Sequence, residues 1–345
     1  NLQAGAVQVA IDDLERFIRI QPKAVPAYVV LGAAYLAARR PGEAVEVGRK
    51  LATAAPRDAR GPYLMGLGLG AQGKRAEARQ QLEASLTLAP QALEPLAQLV
   101  SLTLAERQPA QAVERVKKQI PLAPNSAPHQ LLLGETYAAA GDAKAAEAAF
   151  QQAIALDPNL MGPYVRLAGL YAAAGRFDEA LAKVNDAAKR NPNSVGPLIL
   201  AGIIHEQKGD IPKARESYEK ALAINPRLVP AANNLAWIYS EHDGDKDKAL
   251  QLAQTAKELA PDDPRVSDTL GWILYKRGVY QSALALLRES AAKLGDNPQV
   301  QYHLGMVYAQ LGDQANARKA LNAAIGSPAN FPGKDEARKT LADLK

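Results

Sequence analysis

The run Gly68-Leu-Gly70-Ala-Gln-Gly73-Lys74 satisfies both GxGxxG and GxxxxGK, spacings at which backbone N–H groups cradle phosphates. A phosphate loop of this type needs a strand before it and a Ser or Thr after the lysine to hold magnesium. Arg75 stands at the Ser/Thr position and no strand-like run precedes Gly68, so the glycines are read as packing positions. His129, His205, His242 and His303 show neither HxxxH nor HExxH spacing, which argues against a metal site. The absence of cysteine removes disulfides, thiol catalysis and Cys-based metal sites. There is no GxSxG, and although carboxylates are plentiful, a catalytic pair needs two in one low-dielectric cleft, which no spacing here requires. The chain is therefore read as non-enzymatic, with no cofactor and no metal; an active domain elsewhere in a longer protein stays open.

Composition sets the remaining bounds. The 345 residues are 48% hydrophobic and 22% charged, enough apolar surface for a core. The net charge of +5 is mild, and no basic run of five or six residues occurs, so no nucleic-acid partner is expected. The longest apolar run, Val195–Ile204, is too short to span a bilayer; no signal-peptide pattern is read in these residues, and a signal or anchor on an upstream segment stays open.

The elements that position these residues form an array. Pro22, Pro56, Pro90, Pro124, Pro158, Pro192 and Pro226 recur every 34 residues, and Pro261 follows after 35. The extra residue is expected in the loop His242–Lys246. A second ruler agrees: a large residue followed by a small one recurs as Leu31-Gly32, Met65-Gly66, Leu133-Gly134, Leu167-Ala168, Leu235-Ala236, Leu270-Gly271 and Leu304-Gly305. Each unit reads as two antiparallel amphipathic helices, A and B, in close contact through small residues, with a left-handed glycine between them and proline after B. One such unit cannot bury its own apolar face and needs neighbours.

This pattern resembles the tetratricopeptide repeat, and Leu133-Gly134, Tyr137, Ala146, Phe150, Ala153 and Pro158 match every position. The resemblance covers essentially the whole chain. It implies an all-α, right-handed α-solenoid of nine full repeats, at 25–58, 59–92, 93–126, 127–160, 161–194, 195–228, 229–263, 264–297 and 298–331. Residues 1–24 match only a second half-repeat, through Ala10, Leu14 and Phe17, so the chain is expected to be a fragment of a longer array. Residues 332–345 read as a capping helix with an apolar stripe at Ala337, Leu341 and Leu344. The unit 93–126 diverges most: Val100, Thr103 and Gln119 replace Gly, Tyr and Ala, and looser packing is expected there.

In this family the helices A line the concave side, with their fifth and ninth positions facing the groove. The resemblance therefore implies a protein or peptide partner there. Asn233, Asn234, Trp237, Arg265, Asp268, Trp272, Tyr275, Tyr302 and Met306 form the candidate site, rich in the Trp, Tyr and Arg that anchor interfaces. Trp237 and Trp272 either anchor a partner or pack as core. Asn233, Asn234 and Arg265 suggest the family's carboxylate clamp, but Ile199 occupies the first clamp position, which argues against a chaperone-tail ligand. A second, apolar stretch of Leu131, Val165, Ile199 and Ile203 suits an amphipathic helix or acyl chain, or is covered by neighbouring repeats.

The phrases Asn233–Glu241, Asp268–Gly278 and Asn297–Asp313 resemble bacterial repeat proteins of exopolysaccharide and PEP-CTERM sorting systems. That resemblance implies an interaction scaffold in the periplasm or envelope; a cytoplasmic location is the alternative. Two other readings stand beside it: a targeting array of a larger enzyme such as a glycosyltransferase, and a polysaccharide-binding array in which Trp237, Trp272 and Tyr302 stack on sugar rings.

Overall fold

The computed structural model describes residues 2–243 and 245–344, and among these every regular element is helical. The helices A are α2 (Val25–Ala37), α4 (Arg60–Ala71), α6 (Leu93–Ala105), α8 (Ala127–Ala139), α10 (Met161–Ala173), α12 (Val195–Lys208), α14 (Val229–Ile238), α16 (Pro264–Lys276) and α18 (Pro298–Gln310). The helices B are α3 (Pro41–Ala54), α5 (Arg75–Leu88), α7 (Pro109–Gln119), α9 (Ala143–Leu156), α11 (Phe177–Arg190), α13 (Ile211–Ile224), α15 (Lys246–Leu259), α17 (Tyr280–Leu294) and α19 (Gln314–Gly326). α1 (Leu2–Ile20) precedes them and α20 (Lys334–Asp343) follows. The chain is thus an all-α helical-repeat solenoid. Two compact units divide it within α10, at residues 1–170 and 171–345.

Local sequence explains the helix ends. Asp142, Asp210, Asp245 and Asp313 accept a hydrogen bond from the backbone N–H three residues on, starting α9, α13, α15 and α19. This satisfies a donor that has no partner within the helix. The A-to-B turn needs one left-handed residue, supplied by Gly73, Gly141, Gly175, Gly209, Gly278 and Gly312. In two repeats the slot holds Arg39 and Arg107 instead, both at φ 58°. An L-residue with a Cβ is strained there.

Helices A and B approach closely because the small residue of A lies beneath a large residue of B. A Cβ added to Gly134 would come within 2.5 Å of the Phe150 ring, and one on Gly202 within 2.4 Å of the Tyr218 ring. The phosphate-loop lookalike dissolves into the same packing. Gly66 faces Leu82, Gly68 faces Val45 of α3, and Gly73 is the left-handed turn residue.

Three local features differ from, or sharpen, the expectation. First, the helix following Ala236 accommodates the longer repeat in a π-helical turn, Tyr239–Asp243, which absorbs one extra residue per turn; Gly244, within the loop expected to carry the insertion, lies outside the described residues. Second, α1 buries Ile11 and half-buries Leu14 against Tyr28 and Leu31 of α2, whereas Ala10 and Phe17 are exposed. Third, Thr103, in place of a tyrosine, donates to the Leu99 carbonyl and accepts from Arg79. It leaves a cleft of about 620 Å³ lined by Arg79, Arg115, Lys118 and Gln119. The looser packing read from the third repeat takes this form.

Two substitutions test this description. Arg107→Gly should raise stability by about 1 kcal/mol by relieving the left-handed strain. Gly134→Ala should lower it by roughly 1–3 kcal/mol, because Phe150 must leave its position. Urea unfolding of each variant measures both.

Candidate functional site

All nine candidate residues lie in the unit 171–345, on α14, α16 and α18. The structure separates them into two groups.

The first group is core. Trp272, Tyr302 and Met306 are only 6%, 2% and 4% exposed, and cluster with Leu321, Phe331 and Ala337. The C-terminal segment supplies this cover. Phe331 packs on Tyr302 at 5.7 Å, and Leu341 and Leu344 close the edge. Tyr302 donates to the Glu336 carboxylate at 2.6 Å, and burial together with that carboxylate raises its pKa. Trp272 stacks on Tyr275 at 4.7 Å and on His303 at 4.1 Å, and its indole N–H donates to Glu241. Lys276 bonds the same Glu241 oxygen, so the buried indole meets a neutralised carboxylate. Trp272, Tyr302 and Met306 therefore offer no free face to a ligand, while Tyr275, the remaining candidate, is half-buried at the edge of this layer. The physical reason is local to this end of the row, where α18 packs beside α16 and the segment from Phe331 through α20 packs beside α18.

The second group is accessible. Asn233, Asn234, Trp237 and Asp268 are half-buried, and Arg265 is exposed. They border a cleft of about 250 Å³, shared with Glu206 of α12 and reached by Pro332. Each is held from behind. Asp263 caps α16 by accepting from the Arg265 N–H and also binds the Arg265 guanidinium through two nitrogens, which holds the Asp263 carboxyl below the usual carboxylate range. The side chain of Arg265 is 76% exposed and turned outward. Asp268 receives the buried His303 at 3.0 Å, and His303 lies between the rings of Trp237 and Trp272.

One polar row runs along the cleft floor. Asn233 donates weakly to Asn234 at 3.5 Å, Asn234 donates to the Tyr218 hydroxyl at 3.1 Å, and that hydroxyl donates to Glu206 at 2.6 Å. Tyr218 is fully buried beneath Gly202, which fixes its hydroxyl. Burial raises the pKa of Glu206, with the Tyr218 hydrogen bond opposing it. The Asn233 side-chain oxygen is buried and has no hydrogen-bond partner. Buried acceptors of this kind are rare and call for an explanation.

Glu206, Tyr218 and His303 were not among the sequence candidates for this site. Glu206 is the twelfth residue of its helix A, one turn beyond the positions that the repeat register singles out. His303 meets Asp268 across one repeat, at a separation of 35, which no local spacing motif encodes.

The apolar stretch divides between the two units. Leu131 is half-buried and Val165 is exposed in the first, whereas Ile199 and Ile203 lie half-buried against the core around Tyr218 and Leu235 in the second. Among the described residues no three His, Asp or Glu side chains converge as a metal site, and no helix is long and apolar enough to cross a membrane.

Models described as tetratricopeptide repeat match residues 137–197 and 206–273 and, in a second form, 2–59 and 269–335. A TPR repeat-containing protein of Pseudomonas aeruginosa is 29% identical over 98 residues, covering 28% of this chain and 16% of the relative. Photosystem I assembly protein Ycf3 of Prochlorococcus marinus is 37% identical over 73 residues, covering 20% of this chain and 42% of the relative. The chain thus matches less than half the length of either. Among solved structures, a tetratricopeptide repeat protein of Parabacteroides merdae superposes with a TM-score of 0.54 at 17% identity, covering 72% of this chain and 97% of that one. The Cut9–Hcn1 tetramer superposes with a TM-score of 0.56 at 14% identity, over 99% of this chain and 94% of that one. These likenesses concern the fold.

The raised pKa of Glu206 has a consequence for stability. The native state holds the proton to higher pH than the unfolded chain does, so stability falls as pH rises from the ordinary Glu range through the raised value. Glu206→Gln should remove this component and flatten the profile, as thermal unfolding between about pH 4 and pH 7 would show.

Proposed function

The chain belongs to the tetratricopeptide repeat family, and from that premise we propose that it is a non-catalytic scaffold whose partner is an extended peptide segment of another protein, bound across α14 and α16. The observation that carries this reading is the cleft beside Asn233, Asn234 and Trp237. It combines a partly open indole, side-chain amides that can pair with a peptide backbone, and charged groups already fixed by Asp263 and His303. Groups immobilised before binding lose less entropy on association. Trp272, Tyr302, Met306 and Tyr275 act from behind, as the packed layer against which Trp237 is set.

The same burial weakens the polysaccharide reading. Sugar rings stack on exposed aromatic faces, and two of the three rings invoked for that role, Trp272 and Tyr302, are covered by neighbouring helices and by Phe331. In this proposal the scaffold works in the bacterial envelope, in export or sorting. That part rests on the resemblance of Asn233–Glu241, Asp268–Gly278 and Asn297–Asp313 to envelope repeat proteins, and fractionation of the native host tests it.

A random peptide library displayed on phage and panned against the full chain tests the binding mode. Selected peptides should lose at least about tenfold in affinity for the Asn233→Ala/Trp237→Ala variant, since removal of an anchor costs roughly 2 kcal/mol. Circular dichroism checks that the variant is folded. Equal affinity for both chains would place the site elsewhere.

A further inference from the structure

The chemistry of the α14–α16 cleft specifies more than a peptide. We infer that it takes an arginine side chain of the bound segment, its guanidinium seated between Glu206, Asp268 and the Asn233 oxygen and lying on the indole of Trp237. This rests on the peptide-scaffold reading above and adds to it the identity of the side chain that is recognised.

The polar row has a direction. Each member donates one hydrogen bond to the next, from Asn233 to Asn234, to Tyr218, to Glu206. Beside the neutral amides of its lining, the cleft carries two carboxylates, Glu206 and Asp268. The Asn233 oxygen is buried and unpartnered. Glu206 is half-buried, and among the described residues its one hydrogen bond comes from the Tyr218 hydroxyl, a neutral group. Both Asp268 oxygens lie within hydrogen-bond distance of His303 Nδ1, at 3.0 and 3.1 Å. Among the described residues lining the cleft the one Lys or Arg, Arg265, is bound through two nitrogens to Asp263, and its side chain is largely exposed to solvent.

Such a site is completed by a ligand with several donors and a positive charge. A guanidinium carries five N–H donors in a plane, pairs with carboxylates through two bonds at once, and stacks on an indole face. An ammonium supplies a point charge and three donors without a plane to stack, so lysine fits this combination of carboxylates, amide oxygen and ring less completely. Acidic and purely apolar side chains would leave the acceptors unpaired.

Nuclear magnetic resonance provides the direct test, because the chain has two tryptophans and hence two indole N–H signals. Trp237→Phe assigns them. The full chain is titrated with Nα-acetyl-arginine methylamide and with the citrulline analogue, which keeps the shape and loses the charge. The inference predicts that the arginine probe shifts the Trp237 signal in a saturable manner, that citrulline binds at least about tenfold more weakly, and that Glu206→Gln reduces arginine affinity by a similar factor, as loss of a buried charge partner does. Asp268→Asn serves as the second variant, and the indole spectrum of each variant alone reports whether it is folded. Absence of a Trp237 shift, equal binding of citrulline, or unchanged binding to both folded variants would overturn the inference. The peptide reading has its own outcome: panned peptides that need Asn233 and Trp237 but carry no arginine uphold the scaffold and reject the guanidinium site.

Discussion

Five of the repeats depend on one steric contact, a small residue of helix A pressed beneath a large residue of helix B. Gly134 under Phe150, Gly202 under Tyr218 and Gly305 under Leu321 are the same contact in three of the copies. It brings two backbones close enough for their apolar stripes to merge, and dense interiors tolerate little change of volume at such points. The remaining residues of each helix face are then free to vary. This separates the scaffold, which repeats, from the surface, which does not.

The separation accounts for where the molecule departs from regularity. The 93–126 repeat loses the tyrosine at Thr103, and a cleft opens, because Thr103 satisfies its hydroxyl on Leu99 without filling the volume. The repeat with one residue too many buries Ala236 in one cluster with Ala249 and Ala253 of α15 and places the surplus in the π turn Tyr239–Asp243. In the same repeat, Tyr239 is buried and donates to Glu219, so the turn stays tied to α13. At the C-terminal end, Phe331, Ala337 and Leu341 close the apolar layer over Tyr302 and Met306.

The fold was legible in the sequence because each contact recurs at a fixed interval, so Gly, Tyr, Ala and Pro positions corroborate one another across the copies. The candidate site was legible only in part. The fifth and ninth positions led to Asn233, Trp237 and Asp268, which do border a cleft. They led equally to Trp272, Tyr302 and Met306, which are covered. Register tells which face of a helix a residue occupies, but burial depends on how far the next helix A overlaps that face, and this is a tertiary quantity. Glu206 escaped for the complementary reason. Its importance comes from Tyr218 and Asn234, which lie on two later helices, and no spacing on α12 announces them. The left-handed Arg39 and Arg107 show the same limit at the level of the backbone, since the fold imposes on them a conformation that their residue type does not favour.

The account stands on the division of the aromatic candidates into a packed layer and an open cleft. Hydrogen exchange at the two indole N–H groups tests that division in the unmodified chain. The Trp272 N–H, buried and bonded to Glu241, should persist in deuterium oxide long after the Trp237 N–H has exchanged. Equal and rapid exchange at both would mean that Trp272 faces solvent, and would contradict the division on which the proposed site rests.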